Sequence, residues 1–153
     1  MNSLRKFRQL PTQERWLLAQ ALVLLPLTVA AVRAFGIRRW LRVLAKLTRF
    51  KKTSYPADQA SRQSARAIAR TVRIAAQHGF YHSSCLPQSL VLWLLLRSNG
   101  MESEIRFGAR KEERELEGHA WVECFGVALN EEGDVNQRFS RFEGLTFPRR
   151  TEM

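Results

Sequence analysis

Cysteine is scarce in this chain: Cys85 and Cys124 are the only two in 153 residues. Two thiols cannot build a disulfide framework or a four-cysteine zinc site. Histidine is equally sparse, with His78, His82 and His119 the only three. No CxxC pair is present, and neither a metal nor a cofactor is expected. Internal repeats and low-complexity tracts are missing too, which excludes solenoids and repeat arrays. Acidic residues are nearly absent from the first half. Residues 1–80 hold 16 Lys and Arg against Glu14 and Asp58, a balance of +14, whereas residues 81–153 hold 9 against 12, a balance of −3. The net charge of +11 would by itself suggest a nucleic-acid binder. It belongs to one end of the chain, and two segments with different jobs are expected.

A long apolar run without charge extends from Trp16 to Val32, 17 residues in which Gln20, Pro26 and Thr28 are the interruptions. That length stands at the lower edge of what spans a bilayer. A secretory signal would begin its apolar region nearer the start, and Arg33 occupies the place of a small-residue cleavage site. Gln20 and Pro26 weaken a membrane span. The preferred reading is a long helix buried against the rest of a cytoplasmic protein, with membrane contact by the N-terminal helices as the other option.

Thr12 behind Pro11 makes an N-cap and Glu14 suits the first turn. A helix is therefore predicted over 12–34, kinked at Pro26 and stopped at Gly36. A second follows over 37–50, with Ile37, Trp40, Leu41, Leu44 and Leu47 on one face. Residues 51–56 read as a loop. A third helix over 57–77 buries Ala65, Ile68, Ala69, Val72, Ala75 and Ala76. On it Arg62, Arg66, Arg70 and Arg73 recur at spacings of four, four and three and form a basic ridge. A solvated face is the ordinary meaning of such a ridge; an acidic peptide, a phosphate backbone or an anionic membrane are the sharper ones.

The character then changes. Ser83-Ser84-Cys85 precedes Leu86-Pro87, and the run to Leu96 is apolar nearly all round before Asn99-Gly100 ends it. This pattern predicts a buried central helix with a cysteine at its N-terminus. Residues 105–109 and 119–125 read as strands, with Gly126 turning the chain into 127–129. Helices followed by a strand meander make an α+β domain. The unbonded N–H groups and the dipole at a helix N-terminus favour a thiolate. Covalent catalysis also needs a base in reach of the sulfur and a third group orienting that base. His119 opens a strand that must pack on the Cys85 helix, and from Asn130 a further strand would return past it. Cys124 alternates with His119 and Trp121, so it faces the other side of its strand as a core thiol.

Taken together, these residues carry a resemblance. Cys85-Leu-Pro-Gln-Ser-Leu-Val-Leu-Trp-Leu-Leu-Leu-Arg-Ser-Asn-Gly100, then His119-Ala-Trp-Val-Glu123, then Leu129-Asn130 and Asp134-Val135, resembles the transglutaminase-like cysteine proteases of lasso-peptide biosynthesis. The resemblance covers roughly residues 72–142. It implies a transglutaminase/papain-like core over 57–153, in which a Cys-bearing helix packs on a short antiparallel sheet, behind a basic, apolar helical region over 1–56. It also implies a bacterial leader peptidase that cuts a ribosomally made precursor at its leader–core junction.

Carried over by position, Cys85 takes the place of the nucleophile and His119 that of the general base. The family's third residue is usually an aspartate twelve residues after the histidine, following Leu-Asn; in this chain that position is Glu131. Asn130 is the substitute, and Asp134 matches a different family position. In the implied chemistry Cys85 attacks the leader–core carbonyl, His119 protonates the departing amine and water releases the leader. The Cys85 backbone N–H serves the oxyanion. The implied partners are the precursor peptide, a separate leader-recognition protein and the lasso cyclase, and the +14 balance suits an acidic partner surface. Two rival classes remain open: a basic helical module on an anionic membrane or, less expected, nucleic acid, and an acyltransferase in which an amine resolves the thioester.

Overall fold

A computed structural model describes residues 12–48, 56–78, 84–112, 115–131, 133 and 135–147. Helix α1 (Thr12–Phe35) carries Glu14 in its first turn and runs through Pro26. It ends at Gly36, whose φ of +76° only glycine adopts freely, and α2 (Ile37–Thr48) restarts directly from it. The predicted end of α2 at residue 50, and the loop over 51–55, lie outside the described residues. Helix α3 (Gln59–His78) begins slightly later than periodicity predicts. Asp58 sets that boundary: its Oδ1 accepts the Ser61 N–H at 2.8 Å, and this bond holds its carboxyl below the ordinary value.

Helix α4 (Cys85–Ser98) ends where its Asn-Gly pair predicts. The Gly100 N–H bonds to the Arg97 carbonyl and the Met101 N–H to that of Leu96, both at 3.0 Å, which is a Schellman closure. The helix has no polar face from Leu90 to Leu96, and every residue in that stretch is buried. Burying each leucine there stabilises the fold by roughly 1.5–3 kcal/mol, so α4 takes the centre of the core. Around it pack Leu17, Ala21 and Leu25 of α1, Leu44 of α2 and the whole predicted stripe of α3.

Among the described residues four strands follow: β1 (Ser103–Glu112), β2 (Glu115–Cys124), β3 (Val127–Ala128) and β4 (Ser140–Phe147). They form an antiparallel sheet in the order β3-β2-β1-β4. β1 and β2 outrun their predicted lengths because they pair along all ten residues, from Ser103–Cys124 to Glu112–Glu115. That pairing satisfies backbone groups even where the side chains are exposed. The β2–β3 turn is Phe125-Gly126, both with positive φ, the twist a two-residue hairpin prefers. A single helical turn, α5 (Val135–Arg138), leads into β4, which joins the far edge of β1. Neither element was expected from the sequence pattern. The architecture is α+β, with helices preceding a small antiparallel sheet.

The preferred burial of the Trp16–Val32 run holds for one flank of α1. Its other flank leaves Trp16 and Val23 each 66% exposed, and the helix is long and apolar enough to cross a membrane.

Candidate active site

Cys85 is the first residue of α4 and is half-buried. Ser84 precedes it with extended backbone, and its side chain makes no capping bond. Pro87 has no N–H to offer, so the donors at this helix start are the main-chain N–H groups of Cys85 and Leu86. They point along the axis out of the N-terminal end of the helix, the end that bears Cys85.

The helix is fastened to the sheet by side chains just inside that start. In an antiparallel strand alternate residues turn their N–H and C=O to opposite edges. Val122 accepts the Leu129 N–H at its carbonyl and gives its own N–H to Asn130 Oδ1 at 2.8 Å. The Ala120 carbonyl therefore points to the same edge, away from β1. There it accepts the Ser89 hydroxyl at 2.8 Å, and the Asn130 amide donates to Ser89 Oγ at 3.1 Å. One turn further on, Trp93 Nε1 donates to the Ser103 carbonyl at 3.0 Å, and Ser103 pairs with Cys124. The two anchors make α4 run in the same sense as β2, with its Cys85 end toward the His119 end of the strand. Ser89 stands one turn after Cys85 on the same helix face.

His119 projects from the opposite face of β2 to Ala120 and Val122. Its Nε2 lies 2.5 Å from Glu131 Oε1, and both side chains are largely shielded, at 15% and 9% exposure. Glu131 also receives Arg138 Nη1 on its other oxygen at 3.5 Å. With Nε2–H donating to the carboxylate, Nδ1 is left as the ring's lone-pair nitrogen. Phe139 fixes the plane of the imidazole: the two rings stack at 4.5 Å and 17°, with Trp121 parallel on the same face at 6.1 Å. Trp121 lies over Gly108, the cross-strand partner of His119. A Cβ there would stand 3.0 Å from the indole and 2.7 Å from the Ser140 carbonyl, so glycine is required.

Of the residues singled out in the sequence, His119 and Glu131 are thus brought together directly, and Cys85 is tied to their strand through Ser89. Glu131 comes from the loop after β3, whereas a returning strand was expected; β4 instead takes the far edge of β1. Asn130 has its amide committed to Val122 and Ser89, which makes it a clasp between strand and helix. Asp134 lies outside the described residues. Ser89, Arg138 and Phe139 were missed. Ser89 did leave a signal, as the one small hydroxyl within the apolar run that follows Gln88.

Cys124 is 2% exposed, and its thiol donates to the Glu102 carbonyl at 3.2 Å. Burial pushes it up to about 11, with Arg62 pulling weakly the other way. Both cysteines are free thiols. His78 and His82 stand four residues apart, a spacing that pairs ligands on a helix; His78 is the last described residue of α3, and His82 lies outside the described residues. Among the described residues no three His, Cys, Asp or Glu side chains cluster as a metal site.

No curated protein and no solved structure matches the chain. A family model described as the transglutaminase-like superfamily matches residues 27–143, most of the chain, including the Cys85 helix, His119 and Glu131. The chain belongs to the transglutaminase-like superfamily, which typically comprises cysteine proteases and acyltransferases.

Proposed function

We propose that this protein is the leader peptidase of a lasso-peptide pathway, a hydrolase in which Cys85, His119 and Glu131 act as nucleophile, base and orienting carboxylate. The observation that carries the proposal is the 2.5 Å contact between His119 Nε2 and Glu131 Oε1, on the strand to which the Cys85 helix is bonded. Glu131 holds the tautomer that leaves Nδ1 free to take the thiol proton. The thiolate attacks the carbonyl of the scissile bond, and the oxyanion forms before the N–H groups of the α4 start. Nδ1–H then protonates the leaving amine of the core peptide, and water activated by the same nitrogen hydrolyses the thioester and frees the leader.

The partners of this reading are the precursor, a separate leader-recognition protein and the lasso cyclase. A cytoplasmic setting goes with it. Membrane association through α1 and α2 is supported by the exposed Trp16, Val23, Leu27, Phe35 and Leu47 beside Arg38, Arg39, Arg42 and Lys46. The test mixes wild-type chain or Cys85→Ala with the candidate precursor and recognition protein and reads masses. Two fragments meeting at one bond, absent with Cys85→Ala, are expected. One heavier product would mean amide transfer. An intact precursor with the recognition protein bound would overturn the peptidase reading.

A further inference from the structure

The arginine ridge of α3 is one wall of a groove. A hollow of about 430 Å³ is bounded by Arg66, Arg70 and Arg73 of α3, by Gln88 and Leu92 of α4, and by the segment 127–131 on the opposite side. Its lining includes Glu131, the carboxylate on His119. A second, far smaller hollow of about 10 Å³ adjoins Arg62, Arg66, Phe125 and Val127. From Arg62 to Arg73 the helix rises about 16 Å, the length of about five residues of extended chain.

The composition of this channel selects a class of occupant. Among the described lining residues the cations are Arg62, Arg66, Arg70 and Arg73, and the one acid is Glu131. Glu131 is already shared between His119 and Arg138. Arg70 reaches Glu14 at 3.6 Å while its side chain stays 58% exposed; a contact of that kind is weak and readily exchanged. Val72 and Leu92 on the helix side, and Val127 and Leu129 on the opposite side, are apolar parts of the lining. A narrow cleft with apolar walls and one sign of charge concentrates the field inside it. Guanidinium groups beside an apolar lining suit an extended peptide with carboxylates on one side and apolar side chains on the other; a duplex backbone would use the charges and leave the apolar lining uncovered.

We propose that the channel binds an acidic stretch of the peptide substrate, with Arg66 and Arg70 pairing its carboxylates and the Glu131 end leading toward the bond to be cut. The proposal rests on the peptidase reading and adds to it the charge of the substrate and the side chains that select it.

The probe is a fluorescein-labelled heptapeptide of alternating Glu and Leu, compared with its Gln-for-Glu counterpart. Each is titrated by anisotropy onto the full chain carrying Cys85→Ala, at low and at physiological salt. The Glu peptide should bind about tenfold more tightly, with the advantage shrinking as salt rises. Arg66→Gln with Arg70→Gln should erase the preference, and Arg66→Lys with Arg70→Lys should keep most of it. Arg38→Gln with Arg42→Gln removes the same charge from α2 and should leave it intact. Equal binding of both peptides, or equal loss in the α2 and α3 variants, would overturn the channel. So would DNA competing through Arg66 and Arg70. Because no cleavage is read, a failed precursor assay beside an intact Glu preference would sink the peptidase and spare the acidic-peptide site, and the reverse pattern would sink the site alone.

Discussion

On one face of β2, Ala120, Val122 and Cys124 are buried, Val122 and Cys124 in the same cluster as α4; on the other, His119, Trp121 and Glu123 meet Glu131, Phe139, Arg106 and Arg141. The two faces alternate residue by residue along a single strand, yet they are held by different forces. The first is stabilised by area removed from water, which is insensitive to the direction of approach. The second buries a smaller cluster of Trp121, Val135 and Phe139 and adds to it bonds and ring contacts that depend on direction. Glu123 accepts Trp121 Nε1 at 3.1 Å, Arg141 at 2.6 Å and Arg106 at 3.2 Å, so one carboxylate ties three side chains of this face together. Placing it back to back with a packed core gives a stiff support to groups whose orientation decides their chemistry.

The largest expected break in this comparison is chemical. Cys85→Ala should reduce precursor cleavage by about 10⁴-fold or more, with the thermal melt unchanged. His119→Ala should do the same, and the double variant should be no worse, since groups acting as a unit are not additive. Next comes Glu131→Gln, which keeps size and loses charge. It should lower kcat by about 10²-fold or more, with KM little changed, because the imidazole loses its orienting partner. Steady-state kinetics on the precursor would check both.

On the core face the signs reverse. Val122→Ala should cost about 2 kcal/mol of stability through lost burial and the cavity left behind, read by urea unfolding, while kcat of the folded enzyme stays near wild type. Smaller still is an alkaline effect at Cys124. The folded chain keeps that thiol protonated to about 11, whereas an unfolded thiol releases its proton near 9. Between those values the folded state binds more protons, so stability is full below pH 9 and falls as pH rises toward 11. Cys124→Ser should flatten that slope in unfolding curves taken at pH 8 and 10.

Much of the fold was legible in the sequence because its signals are local. Gly36 and Asn99-Gly100 end helices at the predicted places, and the stripe Ala65–Ala76 is buried as its spacing requires. Asp58 escaped notice because a cap is decided by where the preceding chain points. β4 escaped because its partner, β1, lies more than thirty residues earlier in the chain, and a bulge between Arg106 and Gly108 interrupts the register.

By itself the sequence determined that Cys85 begins a helix, that this helix occupies the core, and that His119 and Cys124 face opposite sides of one strand. Helical periodicity, Asn-Gly chemistry and the two-residue repeat of a strand are properties of short segments. Only the tertiary structure decided that Glu131 meets His119, that Asn130 is a clasp, that Phe139 stacks on the imidazole, and that the arginine ridge is the wall of a channel. Each of these is a contact between segments whose relative placement depends on which strand edges pair and how the loop after β3 closes. No single segment carries that information.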